Sequence, residues 1–234
     1  MTRQAKETGS MIDWAILAQA ADEGVKTTKY FEVLVTGGGV IGYVLWAMNF
    51  LTWGLAIKFF IDIRRETILP TPVIGQLREL FENRQYREAL EVTSEEPSYI
   101  SHVINGSLSQ ASYGYGAMER ALEEASEERT TKMLRSIEWL NLIGNIGPML
   151  GLMGTVWGMI GAFFSIVEQG QARPEEMAGD IGVALVTTLL GLIVAIPALS
   201  VYTIMRNRID GLTSEGMTVA QEMISQLRPA KKSS

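Results

Sequence analysis

NIGPMLGLMGTVWGMIGAF, residues 145–163, contains no charged side chain and places a glycine or another small residue every three or four positions. On a helical wheel at about 100° per residue, Gly144, Gly147, Gly151, Gly154, Thr155, Gly158, Gly161 and Ala162 fall within an arc of roughly 120°. One face of such a helix is nearly bare of side chains. Leu152, Met153, Val156, Ile160, Phe163 and Phe164 occupy the opposite face and suit lipid or bulky helix packing.

Outward from this stretch, the chain is free of Asp, Glu, Lys, Arg and His from Trp139 to Val167, and two further runs, Val33 to Ile57 and Ile181 to Met205, share that property. Each reaches the roughly 20 residues that cross about 30 Å of hydrocarbon. The middle run exceeds a perpendicular span, so it tilts or its ends project. The third repeats the design of the second. Asp180, Ala184, Thr187, Thr188, Gly191, Ala195, Ala198 and Tyr202 fall within roughly 100° of arc, whereas Val183, Leu189, Leu190 and Ile193 point elsewhere. The absence of strand-like alternation makes the expected fold all-α: a polytopic membrane protein with three transmembrane helices and a helical cytoplasmic domain.

Composition removes several function classes. The 234 residues carry a formal net charge of −6, which gives no electrostatic case for nucleic acid. With no cysteine and the single histidine His102, disulfides, thiolate sites and a histidine metal cluster are excluded. His102 reads as an ordinary residue of a soluble helix. No nucleophile, acid/base pair or cofactor motif is visible, so no enzyme, cofactor or metal is expected. The N-terminal segment lacks the pattern of a cleaved signal, and Met11 to Ala21 suits an interfacial helix too short to span.

Basic flanks orient the spans. Lys58, Arg64 and Arg65 follow the first, Arg129, Lys132 and Arg135 precede the second, and Arg206 and Arg208 follow the third. The segment with Glu168, Arg173, Glu175, Glu176 and Asp180 is mainly acidic, so it faces outside. The expected order is a periplasmic N-terminal segment (1–32), transmembrane helix 1 (33–57), a cytoplasmic helical domain (58–138), transmembrane helix 2 (139–167), a periplasmic loop (168–180), transmembrane helix 3 (181–205) and a cytoplasmic C-terminal tail (206–234). Within 58–138, Pro70 and Pro72 break the first helix. Helical spacing resumes at Leu77, Leu80, Phe81, then at Tyr86, Ala89, Leu90, and again after Pro97. From about Ala117 one long helix, apolar at Met118, Ala121, Leu122 and Ala125, runs unbroken into the second span, which therefore extends into the cytoplasm. The opposite, acidic face at Glu123, Glu124, Glu127 and Glu128 reads as solvated.

The small faces admit a packing role, because Gly147 with Gly151 and Gly154 with Gly158 form small-xxx-small pairs that let backbones approach. They also place Thr155, roughly 18 Å below the outer end of its span, near the depth of Thr188, roughly 12 Å below the end of its own. Thr155 and Thr188, with Thr187 beside them, are the expected ion pathway. No ionisable group lies inside any span, so a carboxylate has to come from a partner. Asp180, at the outer boundary of span three, is either a loading group for that pathway or a helix cap.

The run from Asn145 to Phe163, together with ALVTTLLGLIVAIPAL from Ala184 to Leu199, resembles the paired signature of the MotA/TolQ/ExbB proton-channel family, and most closely its ExbB/TolQ branch. The resemblance implies a homo-oligomer, a pentamer, around an ExbD/TolR-like single-span protein whose membrane Asp is alternately protonated and released. A TonB/TolA-like periplasm-spanning protein would receive the output. It implies a bacterial inner-membrane location, with Thr155 and Thr188 facing the partner Asp and Pro148 and Pro197 shaping the pore helices. Relatives often carry a Glu early in span three where this chain has Val183, which leaves Asp180 as the nearby carboxylate. The bare residues leave a static scaffold open as the rival reading, and leave H⁺ against Na⁺ undecided. A solute transporter would require inverted repeats or broken helices, which are not visible.

Overall fold

A computed structural model describes residues 34–35, 38–169 and 174–228. The interfacial helix expected at Met11 to Ala21, residues 170–173 of the expected loop, and residues 229–234 of the expected tail lie outside them. All regular structure among the described residues is helical: α1 (Gly39–Asp62), α2 (Arg65–Ile68), α3 (Thr71–Glu82), α4 (Tyr86–Glu95), α5 (Tyr99–Leu108), a 3₁₀ turn (Ala111–Tyr113), α6 (Tyr115–Gln169) and α7 (Pro174–Ser225). Three of these helices, α1, α6 and α7, are long and apolar enough to cross a membrane.

The chain divides into two compact units, Met1–Phe50 with Asn145–Ile196, and Leu51–Gly144 with Pro197–Ser234. The second unit holds a conventional apolar core. Val73, Leu77 and Phe81 recur every fourth residue, so α3 buries a single stripe. Met118 and Leu122 do the same for the start of α6 and meet Ile100, Val103 and Ile104 of α5. Glu119, Glu123, Glu124, Glu127 and Glu128 stay exposed on the other side of α6. Gly106 lets α5 lie against α6 so closely that a Cβ there would stand 2.9 Å from the Ala125 Cβ.

Local chemistry sets the helix ends. Pro70 and Pro72, expected to stop the first helix, instead begin the third, where the proline ring suits the first turn and no N–H is missed. α3 ends in a paired closure, with Gln85 N–H donating to Leu80 O (2.8 Å) and Arg84 N–H to Phe81 O (3.1 Å), and Arg84 takes φ +60° where glycine is usual. Ser98 caps α5 by accepting from the Ser101 amide at 3.2 Å. His102 is half-exposed, with its Nε2 4.0 Å from the Glu128 carboxylate.

The segment expected as a C-terminal tail is helical to Ser225 as the continuation of α7. Ile209, Ala220, Met223 and Ile224 lie in the core of the second unit. Gly216 passes so near Tyr99 and Leu69 that a Cβ would approach them to 2.7 and 2.8 Å. The Tyr99 hydroxyl shares a 2.7 Å hydrogen bond with Ser126 Oγ and donates to Thr213 O at 3.2 Å, tying α5, α6 and α7 together. At the surface Arg65 pairs with Glu215 and Arg78 with Glu222. Hydrogen bonding to Glu215, and then its charge, hold the Arg65 guanidinium above its usual pKa.

Candidate functional site

In the first unit the two bare faces meet each other. A Cβ on Gly147 would lie 3.1 Å from Gly191 O, one on Gly151 2.9 Å from Thr187 O, and one on Gly158 2.8 Å from Asp180 O and 2.9 Å from the Ala184 Cβ. In return, a Cβ on Gly191 would lie 2.7 Å from Gly147 O. Residue numbers rise along one helix as they fall along the other, so α6 and α7 cross antiparallel, backbone against backbone. With no side chain on the α6 glycines, the backbone of α6 meets carbonyls, α-carbons and the short Thr187 and Ala184 side chains of α7, which is how small residues hold membrane helices together where burial from water provides no drive. The glycine set Gly147, Gly151, Gly154, Gly158 and Gly191 therefore joins α6 to α7 within one chain. Pro148 and Pro197 lie inside these helices, each half-buried.

The threonines converge on this crossing. Thr187 is 1% exposed, its Oγ1 donating to Ala184 O (2.8 Å) or Gly151 O (3.3 Å). Thr188 is half-buried and donates to the same Gly151 O at 3.3 Å. Thr155, one helical turn beyond Gly151, is half-buried and donates to Leu152 O of its own helix at 2.6 Å. Thr188 thus lies opposite Gly151 and Thr155 one turn further along α6, both half-buried, while Thr187 lies inside the crossing.

Asp180 is not a helix cap. α7 begins at Pro174, so Asp180 stands on its second turn, half-buried, with its carboxylate over Gly161: Oδ2 would be 3.7 Å from a Cβ there. It follows Gly158 and Ala184 up the same crossing. Val183 opens instead onto an apolar cleft of about 580 Å³ shared with Gly38, Val40, Met153, Trp157 and Thr187. Leu190, which a wheel of α7 turns away from the small face, is nonetheless buried. Its Cδ1 would be 3.3 Å from a Cβ on Gly38 and 3.7 Å from one on Gly42, because these glycines open a socket beside α1.

Leu152, Met153, Val156, Trp157, Ile160, Phe163 and Phe164 are exposed, from 46% to 74%. An apolar surface of that extent belongs in hydrocarbon or against other membrane helices. Among the described residues no three His, Asp or Glu side chains converge as a metal site. Below Asp180, hydroxyls and carbonyls are what the crossing offers, and they can relay a proton or ligate a cation but cannot themselves take up charge at neutral pH.

Three helices able to span a bilayer, two of them locked through a face without side chains, define a multi-pass membrane protein. The family described as the MotA/TolQ/ExbB proton channel family matches residues 88–216, which takes in most of α4, all of α5 and α6 and most of α7. The chain belongs to that family, whose members are channel proteins rather than enzymes. It is 33% identical over 175 residues to an ExbB homolog for biopolymer transport from Methanothermobacter thermautotrophicus, covering 74% of this chain and 62% of that one. It is 40% identical over 85 residues to the biopolymer transport protein ExbB of Xanthomonas campestris pv. campestris, covering 36% and 34%. To the Tol-Pal system protein TolQ of Pseudomonas aeruginosa it is 34% identical over 103 residues, covering 44% and 45%. The chain thus spans less than two thirds of the length of each of these relatives. Its fold is similar to a chain in the solved structure of C. jejuni MotAB, with a TM-score of 0.50 at 18% identity over 91% of this chain and 84% of that one.

Proposed function

We propose that the chain is the ring-forming subunit of a motor driven by the proton-motive force in a bacterial inner membrane, with its N-terminus periplasmic and its C-terminus cytoplasmic. In this reading several copies, a pentamer, surround an ExbD/TolR-like single-span partner, and ions pass between α6, α7 and that partner's membrane Asp. The observation that carries the reading is a contrast. Two threonines stand half-buried on facing helices, about one helical turn apart, at a crossing whose spans contain no Asp, Glu, Lys, Arg or His, in a chain of a proton-channel family. Hydroxyls at that position can orient and desolvate a carboxylate supplied from outside, and each neutralisation of it frees the partner helix to pass an apolar wall. The membrane potential contributes about 2.3 kcal/mol per charge per 100 mV, enough to bias such a step. Asp180, further up the crossing, is placed to load the path from the outer side. The output goes to a TonB/TolA-like periplasm-spanning protein for outer-membrane transport or envelope maintenance.

A static scaffold is the second reading, favoured by the glycines' complete use in helix packing. Thr155→Val and Thr188→Val separate the two. The motor reading expects both to assemble normally and to lose the energised function. Full activity of both variants would refute the ion path and leave the scaffold.

A further inference from the structure

Thr187 and Thr188 are neighbours in sequence, yet both hydroxyls reach the same atom, the Gly151 carbonyl oxygen, at 3.3 Å each. A carbonyl has two lone pairs. Gly151 lies within α6, so the helical ladder gives the first to the N–H of Thr155, four residues on. One lone pair remains for two hydroxyls, each with a single proton to donate.

Thr187 has an alternative. Ala184 O, 2.8 Å away, lies within reach of the same Oγ1, so Thr187 can exchange one carbonyl for the other with little movement. Thr188 is hydrogen-bonded to Gly151 O and stands half-buried at the rim, where a helix from another chain can reach it. Two arrangements satisfy the geometry. In one, Thr187 donates to Ala184 O and Thr188 is held on Gly151 O. In the other, Thr187 takes Gly151 O and the Thr188 hydroxyl turns outward. Gly154 provides the space, since a Cβ there would come within 2.3 Å of Thr187 Oγ1.

We infer that Thr187 is a positioning residue, which sets whether the Thr188 hydroxyl is held on the Gly151 carbonyl or presented to the partner's carboxylate. The inference rests on the ion-path reading of Thr188. Thr187, 1% exposed within the crossing, acts through Thr188.

The test is proton uptake into proteoliposomes of the complete complex, isolated with its natural partner subunits, under an imposed pH gradient and membrane potential and followed with an internal pH dye. Thr187→Val keeps the shape and removes the donor, leaving Thr188 as sole claimant of Gly151 O. Uptake should fall about tenfold, the equilibrium worth of one hydrogen bond. Thr187→Ser restores the donor and should return uptake to within about twofold of wild type. A merely structural Thr187 would not distinguish donor from non-donor at equal complex mass and melting temperature. If Thr187→Val fails to assemble, Thr187→Ala carries the same comparison with Thr187→Ser. Wild-type uptake in the donor-free variant, or equal loss in Thr187→Ser, would overturn the inference alone, provided Thr188→Val is inactive in the same assay. Full uptake in Thr188→Val would overturn the ion-path reading and the inference with it.

Discussion

Gly154→Ala adds one carbon at the tightest point of the α6–α7 crossing. Its Cβ would stand 2.3 Å from Thr187 Oγ1, 2.6 Å from Thr187 Cβ and 2.9 Å from Thr187 Cγ2. Rotating the threonine does not help, because the second of these atoms is fixed to the backbone. Return to ordinary contact near 3.4 Å requires the helices to part by about 1 Å. The same movement carries the two 3.3 Å bonds to Gly151 O beyond hydrogen-bond reach. Overpacking costs about 1–3 kcal/mol and a lost hydrogen bond about 1 kcal/mol, so destabilisation of about 2–4 kcal/mol is expected. For a chain of this size that is a fall of about 5–15 °C in melting temperature. The assay is thermal unfolding of the purified complex followed by tryptophan fluorescence, to which each copy of the chain contributes five residues. Thr187→Gly placed in the Gly154→Ala background removes the opposing Cβ and should recover about 1–2 kcal/mol, a coupling that independent sites would not show. A Gly154→Ala complex that melts within a degree or two of wild type would refute the argument that α6 and α7 are held by direct backbone contact.

The second unit yields further expectations. Gly216→Ala meets the Tyr99 ring at 2.7 Å and Leu69 at 2.8 Å, and should destabilise by about 1–3 kcal/mol, whereas Gly211→Ala, with nothing within 4 Å, should be neutral or gain up to about 1 kcal/mol; unfolding curves of the two test the contrast. Tyr99→Phe removes the hydroxyl bridging Ser126 and Thr213 O and should cost about 1–2 kcal/mol by the same measurement. Arg84→Gly relieves a left-handed residue at the end of α3 and should stabilise by up to about 1 kcal/mol. The Arg65–Glu215 pair is exposed, so Arg65→Ala should leave melting unchanged at moderate salt. The raised guanidinium pKa makes any contribution from Arg65 complete at every pH below the ordinary guanidinium range, so its protonation adds no pH dependence near neutrality.

Much of this arrangement could be read from residue types alone. Charge-free runs mark the apolar stretches of α1, α6 and α7, because burying a charge in hydrocarbon is too costly to pass unnoticed. The stripe at Met118, Leu122 and Ala125 likewise shows that α6 starts far ahead of its apolar part. What escaped was contact with a third element. Leu190 looks outward on a wheel of α7, but Gly38, just ahead of α1, and Gly42 within it make room for it. The apolar run stops at Met205, which makes 206–234 look like a tail, although Ile209, Thr213, Gly216, Ala220 and Met223 follow one another at three or four positions, a helical stripe that marks the docked end of α7. Asp180 was given a cap as one of its two readings because the charge-free run stops there, yet the helix begins earlier, at Pro174, with acidic residues in its first turns. The convergence of two hydroxyls on Gly151 O involves a main-chain atom and has no signature in the side-chain pattern.

The glycine face also has a genetic consequence. Every amino-acid replacement of Gly147, Gly151, Gly154, Gly158 or Gly191 enlarges the residue, so variation at these codons runs in one direction, toward collision. Recovery has to come from the opposing helix, and where Gly154 and Gly158 cross α7 the side chains able to shrink are Thr187 and Ala184. Saturation mutagenesis should therefore find these positions almost silent in survivors, and suppressor selections from Gly154→Ala and Gly158→Ala should return to α7 rather than spread through the chain.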